Sequence, residues 1–562
     1  MIGADVLLKS LIKEKVKIIF GYPGGVTIPL HDRLKDYPSI RHVMPRHEQG
    51  GAMAADAYFR VTGKPGVCLS TSGPGATNLV TGIANAYLDS VGMVAITCQV
   101  ATTVAGTDAF QEVDITGITT PITKHNFFVE DVKDLSQIIK EAFFIASTGR
   151  PGPVHVDIPV DVLKAEVKNF VYPKKINLPG YKIPQKADSK LIKQAVNLIN
   201  KSSRPIVLMG HGVRISGAEK EFKRFIEKAG IPVITTLLGM GSLSDKHPLH
   251  FGMLGMHGMA YANYAVHNAD LIIGMGMRFD DRITGKLEEF AKDANVIHVD
   301  IDPAEIGKNA VVDVPLTGDC QKVLRQLNKL ISQKDHSNWL MQIKTWHKET
   351  RLGKIKKASR SEKSKYLLAQ DIIGEIDKQT KGKATIVSDV GQNQMWTAQY
   401  YAYRHSGQLL SSGGLGCMGY SLPASVGAKF GNPNADVWAL MGDGGFQMNM
   451  QELGTIMTEK LPIKIVLFHN GYLGMVRQWQ ELFYKKNYAS TKLMNPDFVS
   501  IAKAYGIKAH KITTMKQAKK LLHRAANLNK AIFLEFIIGP EDNVYPMVPP
   551  GNTLRETVIK RN

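Results

Sequence analysis

Short runs of apolar and β-branched residues alternate with helical patterns along most of the chain, and this alternation limits the fold more than any other feature. In the first 165 residues, strand candidates such as VKIIFGY, GVCLST and MVAIT are separated by helical stretches such as RHEQGGAMAADAYFR. Strands that are joined through helices lie parallel in a sheet with helices on both faces. The pattern therefore predicts an α/β fold of doubly wound domains with central parallel sheets.

The chain is long enough for three such domains. Its 562 residues exceed what one hydrophobic core can serve, and domains of roughly 100 to 200 residues imply about three. A Pro/Lys-rich stretch from Tyr172 to Lys186 and a polar, basic segment from about Ser337 to Lys365 separate three blocks of alternating patterns. We expect domains at 1–170, 187–335 and 366–545, followed by a C-terminal tail at 546–562.

Composition indicates an ordinary globular protein. An apolar content of 44% with 21% charged residues excludes an intrinsically disordered chain. The longest strongly apolar stretch, Val91 to Val104, falls short of the ~20 residues that a membrane-spanning helix needs, and the N-terminus lacks a signal-peptide pattern. Four cysteines without a CxxC or Cys/His cluster indicate reduced, buried thiols. We expect a cytoplasmic protein that does not contact a membrane.

The net charge of +20 raises the alternative of a nucleic-acid-binding protein. The lysine excess is concentrated in YPKKINLPGYKIPQKADSK and RLGKIKKASRSEKSK, where it indicates solvated connecting segments. We therefore expect no nucleic-acid partner. The alternative would show itself as salt-sensitive retention on DNA.

Two neighbouring strand candidates are each followed by a polar residue next to glycine. In DVWALMGDGG this residue is Asp443, which lies between glycines, and in IKIVLFHNG it is Asn470. The 27 positions from Asp443 to Asn470 hold one helix and one return strand, so we expect both side chains at one edge of a parallel sheet. A carboxylate, a carboxamide and diphosphate oxygens form the set that Mg²⁺ prefers. Imidazole is a poor Mg²⁺ ligand, so we interpret His469 as a spacer. Alone, GDG is equally typical of a simple turn.

This spacing resembles the thiamine-diphosphate motif of the thiamin-dependent decarboxylase and carboligase family. The resemblance implies that Mg²⁺ is bound by Asp443, Asn470 and the backbone of Tyr472. His469 stands where the family usually has a first asparagine that does not bind the metal. The other residues implied to hold the cofactor are Gly391, Gln392, Asn393, Gly416, Met418, Gly442, Gly444, Gly445, Gly474 and Met475. Asn393 departs from the histidine that is usual at its position.

Two further positions complete the thiamine pattern. Glu48, in RHEQGGAMAADAYFR, matches the family's glutamate, whose carboxyl group hydrogen-bonds the aminopyrimidine ring and takes part in proton transfer. Small residues around it permit close packing, which would desolvate the carboxyl group and raise its pKa, whereas an isolated glutamate at a helix start would only complement the helix dipole. Met418 matches the apolar wedge between the two thiamine rings; in another setting it would be a core residue.

Four longer stretches are more specific. GYPGGVTIPLHD, GTDAFQEVDITGITTPITKHNF, GMLGMHG with GMRFDDRITGK, and NGYLGMVRQWQELF resemble the catalytic subunits of the acetohydroxyacid synthase family. The resemblance runs from Gly3 to NVYPMVPPG and is closest to the enterobacterial isozyme II type. It implies decarboxylation of pyruvate and ligation to a second pyruvate or to 2-oxobutyrate, the first common step of branched-chain amino acid biosynthesis. The implied catalytic residues are Gly25, Glu48, Phe110, Gln111 and Lys124, with Arg282 and Trp479 around the second substrate.

The resemblance assigns pyrimidine binding to the first domain, FAD binding to the middle domain and diphosphate binding to the third. GMG at Gly274 to Gly276 does not match the GxGxxG dinucleotide-binding motif. The prediction of bound FAD therefore rests on the match of RFDDR to the family. The implied flavin contacts are Arg150, His257, Arg278, Asp281, Asp300 and Asp302. Two departures from the family, Ala101 in place of proline and HGVR at 211–214 in place of a glycine-rich turn, remove no proposed catalytic group.

Glu48 and Asp443 fall in different domains, and the family assembles each site across a dimer interface. The resemblance therefore implies a homodimer or tetramer, together with a small regulatory subunit. Two other functions stay open. A related pyruvate oxidase would reduce its flavin and release acetyl phosphate or acetate, and a non-catalytic regulatory paralogue would bind no thiamine diphosphate.

Overall fold

Three parallel six-stranded sheets form the framework of the computed structural model, which describes residues 1–350 and 366–559. Every ladder between neighbouring strands in these residues runs parallel. Apolar clusters cover both faces of each sheet. The predicted fold class is therefore confirmed. Among the helices of the described ranges, none is both long and apolar enough to span a membrane.

The first domain alternates strands and helices from residue 3 onward. Its strands are β1 (Ile18–Gly21), β2 (Arg41–Val43), β3 (Gly66–Ser70), β4 (Met93–Gln99), β5 (His125–Phe128) and β6 (Pro153–Pro159). Its helices are α1 (Gly3–Lys13), α2 (Ile28–Leu34), α3 (Glu48–Thr62), α4 (Pro74–Asn78), α5 (Val80–Leu88), α6 (Ile115–Thr119), α7 (Leu135–Ser147) and α8 (Val160–Lys164), with 3-10 turns at Gly25–Thr27 and Thr120–Ile122. The strands lie in the order β2-β1-β3-β4-β6-β5.

The middle domain has a different strand order. Its strands are β7 (Pro205–Met209), β8 (Val233–Thr235), β9 (His250–Met253), β10 (Leu271–Met275), β11 (Asn295–Asp300) and β12 (Val314–Thr317). Its helices are α9 (Ser189–Lys201), α10 (His211–Ile215), α11 (Glu219–Ala229), α12 (Ala260–His267), α13 (Asp281–Thr284), α14 (Cys320–Leu330) and α15 (Ser337–Thr350), with 3-10 turns at Leu237–Gly239 and Leu287–Glu289. The order β12-β11-β10-β7-β8-β9 is that of dinucleotide-binding sheets.

Helix α15 differs from the polar connector expected from Ser337. Its Trp339 and Ile343 are buried in the core of the middle domain, where apolar spacing outweighs the polar composition of the segment. The remainder of the expected connector, 351–365, lies outside the described residues.

The third domain repeats the order of the first. Its strands are β13 (Thr385–Ser388), β14 (Leu409–Ser411), β15 (Val437–Gly442), β16 (Lys464–His469), β17 (Lys508–Ile512) and β18 (Ile532–Ile537), arranged β14-β13-β15-β16-β18-β17. Its helices are α16 (Ala369–Gln379), α17 (Gln392–Tyr400), α18 (Ser421–Gly431), α19 (Asp443–Asn449), α20 (Leu453–Thr458), α21 (Gly474–Phe483), α22 (Phe498–Ala504) and α23 (Met515–Ala526), with a 3-10 turn at Met450–Glu452.

Helices α3 and α18 connect the second and third strands of their respective domains and pack directly on each other. A Cβ added to Gly427 would lie 1.9 Å from the carbonyl oxygen of Ala54, so only glycine permits this approach. The contact belongs to one apolar cluster that includes Phe20 from the first domain and Phe446 from the third. The first and third domains therefore share a core.

The C-terminal tail returns to the middle domain. The Val548 amide donates to the carbonyl oxygen of Met256 at 2.7 Å, and the Lys286 amide donates to that of Asn552 at 3.0 Å. Leu554, in a last 3-10 turn at Leu554–Glu556, is buried in the core of that domain. The tail thus closes one wall of the middle domain.

Candidate active site

Residues of all three domains line a cavity of about 1080 Å³. The residues predicted from the sequence that line it are Arg150, His257, Arg278, Asp281, Arg282, Asp300, Gly391, Gly416, Met418, Met475 and Trp479. The cavity therefore joins the implied flavin region of the middle domain to one side of the implied thiamine region of the third. The described structure brings together these two parts of the predicted site.

Asp443 and Asn470 meet at the carboxyl edge of the third sheet. Asp443 is the first residue after β15, Asn470 is the first after β16, and the two strands are paired with Gly442 opposite Phe468. Asp443 Oδ2 accepts hydrogen bonds from the Gly471 amide at 2.7 Å and from Asn495 Nδ2 at 2.8 Å. The expected crossover therefore accounts for the spacing of the motif.

The crossover itself differs from the single helix expected there. Helix α19 begins at Asp443, and the 3-10 turn at Met450–Glu452 separates it from α20. Glu452 in this turn is buried and accepts from the Arg46 amide of the first domain at 2.9 Å. A contact between domains, which local spacing does not encode, thus lies where the helix is interrupted.

The chemistry of this corner suits Mg²⁺. Asp443 is 1% exposed, and burial raises the pKa of its carboxyl group above the usual value, a shift that a bound cation would oppose. Asn470 Oδ1 accepts from the Tyr472 amide at 3.0 Å, which fixes the turn that carries the backbone of Tyr472. The described ranges contain no group of three or more His, Cys, Asp or Glu side chains that could by itself hold a metal ion. A site with few protein ligands, completed by phosphate oxygens, is the type that Mg²⁺ uses.

Three helix N-termini converge around the corner and supply a setting for a diphosphate. Helices α17, α19 and α21 begin directly after β13, β15 and β16 or their loops, with their N–H groups at one sheet edge. Gly391, before α17, has φ 129°, which favours glycine. Gln392 lies so close to Gly474 that a Cβ there would be 2.1 Å from Gln392 Oε1, and this buried oxygen has no partner among residues 1–350 and 366–559.

Asp389 organises the same edge, although no sequence pattern pointed to it. Its buried carboxylate accepts from the amides of Val390, Gly419 and Ser421 at 2.9 to 3.0 Å. Burial raises the pKa of Asp389 to about 6. Asn393, which departs from the family pattern, donates to the carbonyl oxygen of Asp389 at 2.8 Å. Asp389 therefore joins the loop after β13 to the start of α18.

Met418 lies above the GDGG loop, as a wedge between thiamine rings would require. A Cβ added to Gly444 would lie 3.3 Å from Met418 Cε. Upstream, Asp89 of the first domain accepts from the amides of Gly413 and Gly414 at 3.0 and 2.6 Å. Asp89 is paired with the buried Arg60 at 2.7 Å. A buried ion pair of the first domain thus holds the loop that carries Met418.

Glu48 lies on a separate face of the first domain. It is the first residue of α3, and its Oε2 accepts from Asn78 Nδ2 at 2.9 Å. Gln111 packs beside this region, since a Cβ on Gly73 would lie 2.8 Å from its carbonyl oxygen. Phe110 is 88% exposed, and Gly25 is also exposed. None of these four predicted residues lines the large cavity.

Lys124 is engaged elsewhere in the first domain. Its Nζ donates to the carbonyl oxygens of Ile145 and Thr148 at 2.5 and 2.8 Å and to the Tyr181 hydroxyl at 3.0 Å. Burial lowers the pKa of Lys124 to about 8. In this chain the ammonium caps the carboxyl end of α7 and does not line the cavity.

Five of the six predicted flavin residues line the cavity on the side next to the middle domain, whereas Asp302 does not line it. Arg150 pairs with Asp302 at 3.2 Å and with Glu305 at 2.7 Å, and burial raises the pKa of Asp300 to about 6. Burial lowers the pKa of His257 to about 4, so its ring is neutral at pH 7. The remaining predicted residues are Arg278, 3.6 Å from Asp280, and Asp281, 3.5 Å from Arg282.

Two buried ring nitrogens support a bound polar group here. His257 Nε2 and His211 Nδ1 have no protein partner in the described residues, and both residues line the cavity. Buried polar atoms are normally hydrogen-bonded, so these two nitrogens fit a ligand such as FAD. His211 belongs to the HGVR departure, and Arg214 of the same turn donates to the carbonyl oxygen of Arg60.

Three family models match successive parts of the chain. The thiamine pyrophosphate enzyme N-terminal TPP binding domain matches residues 1–118, the central domain matches 192–327, and the C-terminal TPP binding domain matches 389–536.

Curated relatives match the chain over almost its full length. The acetolactate synthase large subunit of Corynebacterium glutamicum is 46% identical over 98% of this chain and 89% of the relative. The probable acetolactate synthase large subunit of Methanocaldococcus jannaschii is 46% identical over 99% of this chain and 95% of the relative. Acetolactate synthase 1, chloroplastic, of Zea mays is 45% identical over 99% of this chain and 88% of the relative. The chain therefore belongs to the acetolactate synthase large-subunit family of thiamine pyrophosphate enzymes, as its sequence motifs predict.

Proposed function

We propose that the chain is an acetolactate synthase, which decarboxylates pyruvate and joins the remaining two-carbon unit to a second pyruvate or to 2-oxobutyrate. The observation that carries the proposal is the corner of Asp443 and Asn470 beside three helix N-termini, in a chain whose relatives are acetolactate synthases. Thiamine diphosphate, when bound, supplies a carbon nucleophile and accepts the electrons left by the departing carbon dioxide.

The protein's own part is to bind, orient and transfer a proton. Asp443, Asn470 and the Tyr472 carbonyl would hold Mg²⁺ and the diphosphate at the sheet edge. Met418 would fix the angle between the cofactor's rings from the loop that Asp89 supports. Glu48 would hold a proton against the ring nitrogen of the aminopyrimidine, so that the reacting carbon can be deprotonated.

The second substrate would bind where the middle and third domains face each other. Arg282 and Trp479 both line the cavity, and a guanidinium suits the carboxylate of a 2-oxoacid. The flat indole can favour the ethyl group of 2-oxobutyrate over the methyl group of pyruvate. FAD would fill the middle-domain side, between Arg150 and His257, without a net redox step.

We infer further that two chains build each site. Within one chain Glu48 lies outside the cavity that Met418 lines, and the apolar Phe110 beside it is 88% exposed. A second copy that presents its diphosphate corner to this face would bring Glu48 to the pyrimidine and cover Phe110. A small regulatory subunit is a further partner that the large-subunit relatives suggest.

An omission assay tests the activity. The purified protein is incubated with pyruvate while Mg²⁺, thiamine diphosphate and FAD are left out one at a time, and acetolactate is measured. We expect no product without Mg²⁺ or thiamine diphosphate, and no reduction of the flavin during turnover. Consumption of pyruvate with reduced flavin and without acetolactate would instead support a pyruvate oxidase.

A mixing experiment tests the shared site. Glu48→Gln and Asp443→Ala chains, each inactive alone, are mixed and allowed to exchange subunits. If each site uses Glu48 of one chain and Asp443 of the other, half of the mixed dimers' sites are intact, and statistical exchange restores about a quarter of the activity. Exchange without recovery, verified by mass tags on the two chains, would show that one chain builds the whole site.

A further inference from the structure

A continuous line of hydrogen bonds joins a buried carboxylate of the third domain to Asp443. Glu535 Oε1 accepts from His469 Nδ1 at 2.6 Å, and His469 Nε2 lies 2.9 Å from Asn495 Nδ2. Asn495 Nδ2 in turn lies 2.8 Å from Asp443 Oδ2. His469 Nε2 itself is 3.9 Å from that oxygen, too far for a direct hydrogen bond. Glu535 and His469 therefore reach Asp443 only through Asn495.

The sheet register explains why Glu535 and His469 meet. Strands β16 and β18 are parallel neighbours in which Leu467 pairs with Glu535. Side chains two residues apart on a strand share a face, so His469 lies on the same face as Glu535 and one step closer to the carboxyl edge. The arrangement is fixed by two central strands and does not depend on a loop.

The hydrogen-bond partners define the tautomer of His469. The Glu535 carboxylate can only accept, so Nδ1 carries the proton and Nε2 is left to accept from Asn495. Gln447 Nε2 donates to Asn495 Oδ1 at 3.0 Å, which fixes the other end of the carboxamide. The Asn495 amino group is thereby directed at both His469 and Asp443.

The line of bonds leaves one oxygen of Asp443 for a metal. Oδ2 receives both Asn495 and the Gly471 amide, whereas the hydrogen bond recorded to Oδ1 in the described residues comes from the adjacent Gly444 amide, at 3.1 Å. Glu535 is 1% exposed and its Oε2 has no partner there, which costs stability. A group kept at such a cost fits a functional role better than a structural one.

We propose that Glu535 and His469 are positioning residues that, through Asn495, hold the Asp443 carboxylate in the orientation that binds Mg²⁺. This inference rests on the metal site of the proposed function and extends it. His469 is then more than the spacer expected from the sequence, and Asn495 and Glu535 join the site, although neither stands in a recognisable motif.

Metal binding tests the proposal without relying on catalysis. Binding of Mn²⁺ in place of Mg²⁺ is followed by electron paramagnetic resonance, with the full chain and saturating thiamine diphosphate. We expect His469→Ala and Asn495→Ala each to weaken Mn²⁺ binding by roughly 10-fold, the usual effect of losing an outer-shell partner. His469→Gln, whose carboxamide oxygen can still accept from Asn495, should recover most of the affinity.

The control is His510→Ala, which removes a partly buried histidine from β17 of the same sheet. We expect its Mn²⁺ affinity to equal that of the unaltered protein. The double variant His469→Ala/Asn495→Ala should lose no more affinity than either single one, because both act on one line of bonds. Additive losses would overturn the proposal.

Two outcomes separate this inference from the function on which it rests. If Asp443→Ala loses Mn²⁺ while His469→Ala and Asn495→Ala keep full affinity, the positioning role is wrong and the metal site stands. If Asp443→Ala binds Mn²⁺ normally, the metal site itself is wrong. Thermal unfolding without cofactor shows whether His469→Ala folds; if it does not, the loop variant Asn495→Ala alone decides.

Discussion

The first and third domains have the same strand order and place the same helix against each other, yet they carry different chemistry. In the first domain the candidate group, Glu48, starts the helix that follows the second strand. In the third domain the equivalent helix start is Ser421, and the candidate group, Asp443, lies instead at the end of the third strand, directly after β15. The equivalent position after β3 is Thr71.

Each domain therefore lacks what the other provides. A shared topology offers two usable places, a helix start and a strand end, and each domain has a carboxylate at only one of them. The comparison shows that the fold supplies positions, whereas single residues decide which position is active. Substitutions at these two positions should therefore impair the contributions of the first and third domains to the site in different ways.

The largest effect is expected from Asp443→Ala in the third domain. Loss of the carboxylate ligand should abolish Mn²⁺ binding and lower acetolactate formation by on the order of 10³-fold. The matched control is Asp436→Asn, a carboxylate just before β15, at its opposite end. It should leave metal affinity unchanged, and an equal loss in both variants would contradict the assignment of the strand end.

Glu48→Gln should be the next most severe change, and it affects the candidate group of the first domain. We expect turnover to fall by on the order of 10²-fold or more, because the carboxamide cannot transfer a proton. Mn²⁺ binding should be unaltered, since Glu48 lies outside the metal corner. Near-normal turnover in this variant would remove Glu48 from the mechanism.

The contact between the equivalent helices can be tested with one methyl group. Gly427→Ala would place a Cβ 1.9 Å from the Ala54 carbonyl oxygen, so α3 and α18 must separate. We expect the free energy of unfolding to fall by about 2 kcal/mol. Gly374→Ala in α16, where a Cβ would meet nothing within 4 Å, should be neutral or stabilising by up to about 1 kcal/mol. Chemical denaturation compares the two.

The smallest effect concerns Glu452, a buried carboxylate of the third domain that accepts a hydrogen bond from the Arg46 amide, just before α3 of the first domain. Burial raises its pKa from 4.5 to about 7, so the folded state holds the proton more tightly than the unfolded state. Its contribution to the free energy of unfolding therefore falls as the pH rises from 4.5 to 7. Glu452→Gln should remove this loss, and its melting temperature relative to the unaltered protein should be higher at pH 8 than at pH 4.5. Parallel pH profiles would argue against it.

Local patterns predicted the parts of the site that one crossover brings together. Asp443 and Asn470 could be placed at one sheet edge because they follow adjacent parallel strands. Asn495 and Glu535 could not, because their contacts depend on a loop conformation and on which strand lies beside β16. Short strands such as β14, with three residues, and β5, which is partly exposed, also gave no clear periodic signal.

The family resemblance predicted which residues line the cavity better than it predicted the contacts that each side chain makes. Met418 and Trp479 line the cavity together, whereas the described chain places Lys124 on the carboxyl end of α7. A motif records which residue types accompany each other, but not which of several nearby acceptors a long flexible side chain contacts. For Lys124 the carbonyl groups at the end of a helix are such acceptors.

The returning tail has a consequence for the order in which the protein can be completed. Residues 546–559 follow the third domain in the chain, yet the Val548 amide donates a hydrogen bond to the carbonyl oxygen of Met256 in the middle domain. During synthesis the middle domain emerges from the ribosome with this wall unfinished. The packing of the middle domain is therefore completed only after the third domain has been made, because Leu554 enters its core from the far end of the chain.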